Sequence, residues 1–144
     1  MNQQDTVKLL RECDAGIQMG LDALDDVFPH INSEDLRETV SESRRQHREL
    51  RAKANDLLAD HRAEGKQPPA IAETMAHLKT KLTMMTHPTD GAIAELIADG
   101  SHMGAKSLNR YLNQYKAADE ASKDIAKKLI ALEDQLLQDT RQFL

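Results

Sequence analysis

The sequence predicts an all-α protein whose main body is a four-helix bundle, made of two helical hairpins that a long crossover connection joins. Its composition is the first reason, because good helix formers dominate, strand formers are scarce and aromatic residues make up only 3% of the chain. The second reason is the spacing of apolar residues, which recur every three or four positions along four long segments. A sequence pattern that occurs twice is the third reason.

The repeated pattern has two glycines four residues apart, followed by a leucine another four residues on, and its copies occupy residues 16–24 and 100–108. Each copy lies within a run that otherwise favours a helix. Glycine costs about 1 kcal/mol against alanine inside a helix. We therefore expect a packing reason for these glycines, namely a flat groove where another helix approaches closely. The repetition indicates two hairpins related by internal symmetry.

Length and composition restrict the classes of protein. A chain of 144 residues, 40% hydrophobic and 30% charged, fits one globular domain spanning residues 1–144. The net charge of −5 disfavours nucleic-acid binding. No signal-peptide pattern begins the chain and no apolar run reaches the ~18 residues of a membrane span, so we expect a cytoplasmic protein without membrane insertion. The single cysteine, Cys13, falls on an apolar stripe and is expected to be a buried hydrophobic residue.

Four long helices are predicted, at about residues 6–26, 33–63, 92–115 and 119–143. The crossover, residues 64–91, is too long to be a structureless loop inside a small domain. Most of it is an amphipathic segment that begins at Ala70, so we expect a short helix here that lies against the bundle. This arrangement places the two glycine patterns in the first and third of the long helices.

Inward-facing stripes follow from the three- and four-residue spacing in three of the long helices. In the first helix the stripe consists of Leu10, Cys13, Ile17, Gly20, Leu24 and Val27. In the second helix it consists of Leu36, Val40, Ser43, His47, Leu50, Ala54 and Leu57. In the last helix it consists of Ala121, Ile125, Leu129, Leu132 and Leu136. Two polar residues of the second helix, Ser43 and His47, therefore fall in the middle of a buried face.

Two hairpins joined by a long crossover have the connectivity of ferritin-like bundles. Segments 9–16 (LLRECDAG), 71–82, 98–100 (ADG) and 106–108 (KSL), with the charge pattern of the second helix, resemble a bacterial family of ferritin-like, or rubrerythrin-like, domains of unknown function. The resemblance spans nearly the whole chain in order and spacing. It implies the ferritin-like four-helix bundle, but it implies no single activity, because such bundles include iron-storage proteins, oxidases and metal-free members.

A ferritin-like di-iron centre needs a glutamate from each of two helices and a Glu-x-x-His pair from each of the other two. The sequence departs from this pattern. Glu42 and His47 are five residues apart and lie on different faces of the second helix. Asp99 and His102 have the right spacing, but aspartate stands in place of glutamate, and Glu133 of the last helix has no histidine in its helix. A complete di-iron site is therefore not predicted.

A reduced metal site remains as one hypothesis, in which His47, Asp99 and His102 hold iron or another divalent metal ion. In the other interpretation no cofactor binds. His47 is then a core histidine that is hydrogen-bonded to Ser43 or to a main-chain carbonyl, and His102 lies at the surface or at its boundary. Close packing alone would then explain the glycines that face these positions.

His77 raises a separate hypothesis. Histidine phosphotransfer domains are also acidic helical bundles, and they carry an exposed histidine with a lysine nearby. The segment Ala76-His77-Leu78-Lys79-Thr80 is similar to their His-x-Leu-Lys-Gly pattern. The spacing here is one residue short, however, and the glycine is missing.

No catalytic motif is present in the sequence: it has no phosphate-binding glycine-rich loop, no Cys-x-x-Cys pair and no nucleophile elbow. We therefore expect a non-enzymatic binding or assembly protein, in a stress-related role, that acts as a homodimer or with a protein partner. One alternative is a metal-binding ferritin-like protein for iron storage or redox chemistry. The other alternative is signalling through His77.

Overall fold

The computed structural model describes the backbone of residues 2–144 and, within that range, the side chains of all residues except 2, 71 and 72. Its α-helices are α1 (Asn2–Val27), α2 (Glu34–Asp60), α3 (Ala70–Thr86), α4 (Asp90–Gln114) and α5 (Glu120–Thr140). Short 3-10 turns, Phe28–His30 and Arg141–Phe143, follow α1 and α5. No β-strand occurs in residues 2–144, so the all-helical prediction is confirmed for the described chain.

The predicted helix boundaries lie within a few residues of the observed ones. The largest difference is at the start of the chain, where α1 already begins at Asn2. The short helix expected in the crossover is present as α3, which has 17 residues. Among the described residues, no helix combines the length and the apolar character needed to cross a membrane.

Polar side chains cap the N-termini of three helices, which explains why the helices begin where they do. The capping residues are Ser33 of α2, Thr89 of α4 and Asp119 of α5. In each case a side-chain oxygen accepts a hydrogen bond from the main-chain N–H three residues further on. Each cap satisfies one of the main-chain donors that the first turn of a helix leaves without a partner.

The four long helices pack against one another around an apolar core, and α3 packs on α1 and contacts α4. Most of the predicted inward residues are buried. In α2, Leu58 is buried in place of the predicted Leu57, and in α5, Ser122 is buried in place of the predicted Ala121. The reason is that a straight helix, with 3.6 residues per turn, drifts away from a strict seven-residue repeat toward its ends.

The connection from α2 to α3 lies along α1. The Arg11 Nε atom donates a hydrogen bond to the main-chain oxygen of Glu64 at 2.9 Å. Two turns further along α1, the Gln18 side-chain amide donates to the main-chain oxygen of Lys66 at 3.1 Å. These contacts bring the start of α3 next to the C-terminal half of α1.

Asp14 is a buried carboxylate, 2% exposed, that fixes this connection. Its oxygens accept hydrogen bonds from the Gln18 amide, the Arg51 guanidinium and the main-chain N–H of Lys66, at 2.9, 3.3 and 3.2 Å. A Cβ atom at Gly65 would lie 2.2 Å from the Asp14 Oδ2 atom. Gly65 is therefore required for the close approach of the main chain to this carboxylate.

The repeated glycines meet the packing expectation only in part. A Cβ atom at Gly16 or Gly100 would have no heavy-atom neighbour within 4 Å, and both residues are exposed. The prediction that another helix approaches both glycines of each pair is therefore wrong for the first glycine of the pair. Residues four apart on a helix differ by about 40° in direction and about 6 Å in height, so only Gly20 and Gly104 reach the neighbouring side chains.

Candidate functional site

The core contains a polar pair whose side chains come from α2 and α5. His47 is 1% exposed, and its Nε2 atom lies 2.8 Å from the Oε1 atom of Glu133, whose side chain is 12% exposed. The other ring nitrogen, Nδ1, lies 2.7 Å from the main-chain oxygen of Ser43. Both ring nitrogens therefore have an oxygen partner, and the contact with Glu133 joins α2 to α5.

The second glycine of each repeat faces the pair of His47 and Glu133. A Cβ atom at Gly20 would lie 3.3 Å from the Nε2 atom of His47, and a Cβ atom at Gly104 would lie 3.5 Å from the Oε2 atom of Glu133. Gly20 of α1 and Gly104 of α4 hold equivalent positions in the repeated pattern. The repeat therefore leaves room for this pair on two sides.

The structure does not bring the sequence-predicted metal ligands together. His47 is buried, and both of its ring nitrogens are already hydrogen-bonded. Asp99 and His102 are exposed on α4, and the carboxylate of Asp99 lies 3.7 Å from the Nζ atom of Lys79. His47 thus has the main-chain hydrogen bond that the interpretation as a core histidine requires.

A different group of potential ligands lies where α3 packs on α1. Asp22 of α1 and Glu73 and His77 of α3 each offer one donor atom, and these atoms lie within 4.8 Å of one another. Glu73 and His77 are one helical turn apart, so both face α1. The His77 Nε2 atom lies 3.7 Å from the Glu73 Oε1 atom. In the part of the chain that the structure describes, no other group of three such residues converges in this way.

Asp26, one turn after Asp22, also contacts this group. Its carboxylate is hydrogen-bonded to the Nδ1 atom of His77, and this bond raises the pKa of the imidazole. Burial, together with the hydrogen bond and the charge of Glu73, raises the pKa of the Asp22 carboxyl above its ordinary value. Carboxyl groups that crowd each other in this way repel when both are ionised, and a proton or a metal ion relieves the repulsion.

An open groove of about 490 Å³ lies beside the group, between α1 and α2. Asp22 is one of its lining residues, and the basic side chains of Arg48 and Arg51 lie across from it. Solvent and small ions therefore have access to the Asp22 carboxylate from this side.

The opposite side of α3 is apolar and faces solvent. Four of its large apolar side chains are 61–74% exposed and follow one another at intervals of three, four and three residues. They are Met75, Leu78, Leu82 and Met85, and we call them the outer stripe of α3. This spacing places all four along one line of the helix, opposite to the residues that face α1.

The sequence analysis included His77 but did not identify its neighbours. It considered His77 beside Lys79 as a phosphotransfer site, and in the structure the ring contacts Asp26 and lies near Glu73. A signal was present, because Asp22 and Asp26 are four residues apart, as are Glu73 and His77. Such pairs are common on helices, however, and only the path of the crossover along α1 brings these two pairs together.

The function of these two groups of residues has to be argued from their geometry. Comparisons with protein-family models, with curated proteins and with solved structures find no match to this chain. The contacts and exposures of the described residues are therefore the basis for the function proposed below.

Proposed function

We propose that this chain is a non-enzymatic assembly protein that forms a two-fold symmetric dimer through the outer stripe of α3. The observation that carries the proposal is the polarity of α3: Glu73 and His77 face α1, whereas the four large apolar side chains of the outer stripe are 61–74% exposed and Met84 alone among the methionines of α3 is buried. A surface helix normally presents its apolar face to the core. An exposed apolar patch of a few hundred Å² is typical of an interaction site.

The outer stripe is complementary to itself in an antiparallel arrangement. Its order along α3 is Met, Leu, Leu, Met, and its spacing is the same when read from either end. A two-fold axis level with Thr80 would place Met75 opposite Met85 of the partner subunit, and Leu78 opposite Leu82 of the partner subunit. The same patch would then serve both subunits, as in other isologous dimers. Alternating intervals of three and four residues are also typical of a seam between two helices.

Lysines border the outer stripe on both sides. Lys79 and Lys81 lie to either side of it on the helical wheel, and Lys79 is 3.7 Å from the carboxylate of Asp99. In an antiparallel dimer each of these lysines approaches the same lysine of the partner subunit, so like charges come near one another. The cost is small, because exposed charges are screened by salt. The dimer should therefore tighten as the salt concentration rises, whereas an acidic partner helix would bind more weakly.

The proposed scaffold of this assembly protein is the ferritin-like bundle. The hairpin of α1 and α2 packs on the hairpin of α4 and α5, and the crossover joins them. The equivalent placement of Gly20 and Gly104 supports an internal two-fold relation, as expected for this architecture. Both ring nitrogens of His47 already have oxygen partners, which favours a role in assembly over iron storage or redox chemistry at this histidine.

Sedimentation equilibrium at several protein concentrations tests the dimer. We expect the wild-type chain to dimerise and the double variant Leu78→Glu, Leu82→Glu to remain monomeric with an unchanged circular dichroism spectrum. Met103→Glu is the matched control, because Met103 is 68% exposed on α4, outside the outer stripe, and this variant should dimerise normally. A wild-type protein that stays monomeric at high micromolar concentration would refute the proposal, as would a double variant that still dimerises.

Disulfide formation between single-cysteine variants tests the antiparallel register. In a mixture of Met75→Cys and Met85→Cys, the mixed disulfide should dominate, because self-linked Met75→Cys would have to bridge about 15 Å along the helices. Cys13 does not compete, since it is fully buried and burial raises the pKa of its thiol to about 12. Efficient self-linking of Met75→Cys would indicate parallel helices and would contradict the register.

A further inference from the structure

We propose that α1 and α3 together bind one divalent transition-metal ion, with Asp22, Glu73 and His77 as its ligands and Asp26 as the residue that positions His77. This site goes beyond the assembly function and does not depend on it, because it lies on the side of α3 opposite to the outer stripe. The geometry of the donor atoms, the orientation of the imidazole ring and the local charge support it independently of one another.

The three donor atoms are close enough to meet on one ion. They lie within 4.8 Å of one another, and the Nε2 atom of His77 is 3.7 Å from the Oε1 atom of Glu73. Around a tetrahedral zinc ion with bonds of about 2.0 Å, neighbouring donor atoms are about 3.3 Å apart. Small side-chain rotations of His77, Glu73 and Asp22 are therefore sufficient, without any movement of the helices.

His77 is oriented as metal-binding histidines are. The Asp26 carboxylate holds its Nδ1 atom, so the Nε2 atom remains available and faces the Glu73 carboxylate. A carboxylate on the second ring nitrogen is the usual outer partner of a metal-bound histidine, because it fixes the tautomer and the direction of the ring. An ordinary surface ion pair has one carboxylate beside the imidazole ring. Here three carboxylates surround a single ring.

The site also concentrates negative charge. Asp22, Asp26 and Glu73 bring three carboxyl groups to one imidazole. Arg51 is a nearby cation, but its guanidinium group is bonded to Asp14 at 3.3 Å. A bound divalent cation would offset the repulsion that remains between the carboxylates.

The donor set indicates the class of metal ion. One imidazole nitrogen and two carboxylate oxygens suit Zn²⁺, Fe²⁺ or Mn²⁺ better than Mg²⁺ or Ca²⁺, which prefer oxygen donors alone. Among these ions Zn²⁺ binds most tightly in the general order of affinities. Three protein ligands leave at least one coordination position for water. The ion would join α3, and with it the crossover, to α1.

Isothermal titration calorimetry of the untagged, EDTA-treated protein with Zn²⁺ tests the site. We expect one ion per chain for the wild type and at least ten-fold weaker binding for His77→Ala and Asp22→Asn. Asp26→Asn should keep the stoichiometry and weaken binding about 10–100-fold, as expected for an outer partner of a metal-bound histidine. His102→Ala and Asp99→Asn are matched controls on the exposed face of α4, and they should bind as the wild type does.

Cobalt provides a spectroscopic measurement that reports the coordination geometry of the bound ion. Co²⁺ in the wild-type site should give visible absorption bands typical of low coordination number, and His77→Ala should abolish them. Absence of stoichiometric zinc in the wild type would overturn the proposal, as would loss of binding in the α4 controls or unchanged binding in His77→Ala. The variant Leu78→Glu, Leu82→Glu should still bind zinc, so failure of the dimer and failure of the metal site are distinguishable.

Discussion

At the scale of single residues, the contact between His47 and Glu133 explains an apparent defect in the core. A buried polar side chain loses hydration, and it is tolerated only when its hydrogen bonds are satisfied. Here both ring nitrogens of His47 have an oxygen partner. Gly20 and Gly104 leave the space that the pair needs, which accounts for a glycine in the middle of each helix.

Removing the acceptor at Glu133 should destabilise the protein strongly. Glu133→Met keeps the approximate shape but leaves His47 without its partner, so we expect the free energy of unfolding to fall by about 3 kcal/mol. Glu133→Gln keeps an oxygen acceptor and should lose less. Asp134→Asn, at the exposed neighbouring position, is the control and should change little. Urea unfolding followed by circular dichroism measures each variant, and equal losses for Met and Gln would show that the acceptor is unimportant.

The two glycines of one repeat should respond in opposite ways to alanine. Gly16→Ala places its methyl group in open space and should stabilise the protein by about 0.5–1 kcal/mol through helix propensity. Gly20→Ala places a methyl group 3.3 Å from the Nε2 atom of His47. This ring is held on both sides, so we expect a net loss of about 1 kcal/mol from overpacking. Thermal unfolding compares the two variants, and an equal gain at both positions would contradict the expectation.

At the scale of elements, the end of α2 sets the direction in which the chain leaves this helix. Arg62 has a positive φ of 53°, the left-handed conformation that glycine usually adopts at this position. The main-chain N–H groups of Arg62 and Ala63 donate to the oxygens of Ala59 and Leu58, each at 2.9 Å. These two bonds form a Schellman motif. The motif ends α2 sharply and turns the chain toward α1.

Glycine at this turn should stabilise the protein. Arg62→Gly removes the cost of the left-handed conformation, so we expect the free energy of unfolding to rise by about 1 kcal/mol. Ala59→Gly is the matched control three residues earlier, inside α2, where glycine should cost about 0.5–1 kcal/mol. Urea unfolding separates the two effects. If Arg62→Gly destabilised the protein as much as Ala59→Gly, the motif would not be present in solution.

α3 differs from the other helices in the character of its two sides. Its inner side meets α1 through Glu73 and His77, which is the basis for the proposed metal site, and it buries Met84 in the core. Its outer stripe is 61–74% exposed and is the basis for the proposed dimer. The metal site and the dimer can therefore be tested separately, since substitutions on one side of α3 leave the other side unchanged.

At the scale of the whole molecule, the helices themselves could be predicted from the sequence. The stripe through Leu36, Val40 and His47 indicates which side of α2 is buried, and the structure agrees. The crossover helix could be predicted as well, because the chain between residues 64 and 91 is long and amphipathic. These features depend on residues three or four positions apart, and a helix repeats on that scale.

The partners of the buried and clustered side chains could not be predicted in the same way. His47 and Glu133 are 86 positions apart, and His77 and Asp26 are 51 apart. In the sequence analysis, Glu133 was only an acidic residue without a histidine in its helix. His47 was grouped with Asp99 and His102 as a possible metal ligand. Which of these residues come into contact depends on the rotation of each helix about its axis and on the path of the crossover. Neither can be predicted from a local sequence pattern.

The sequence by itself determined that this protein is helical, where its long helices run, and which side of three of them faces inward, because main-chain hydrogen bonding and amphipathic spacing are local properties. Only the tertiary structure decided which distant residues meet. The close approach of Gly65 to the buried Asp14 sends the crossover along α1. That path brings Glu73 and His77 to the acidic side of α1 and leaves the apolar side of α3 facing solvent. Both proposals depend on this path of the crossover.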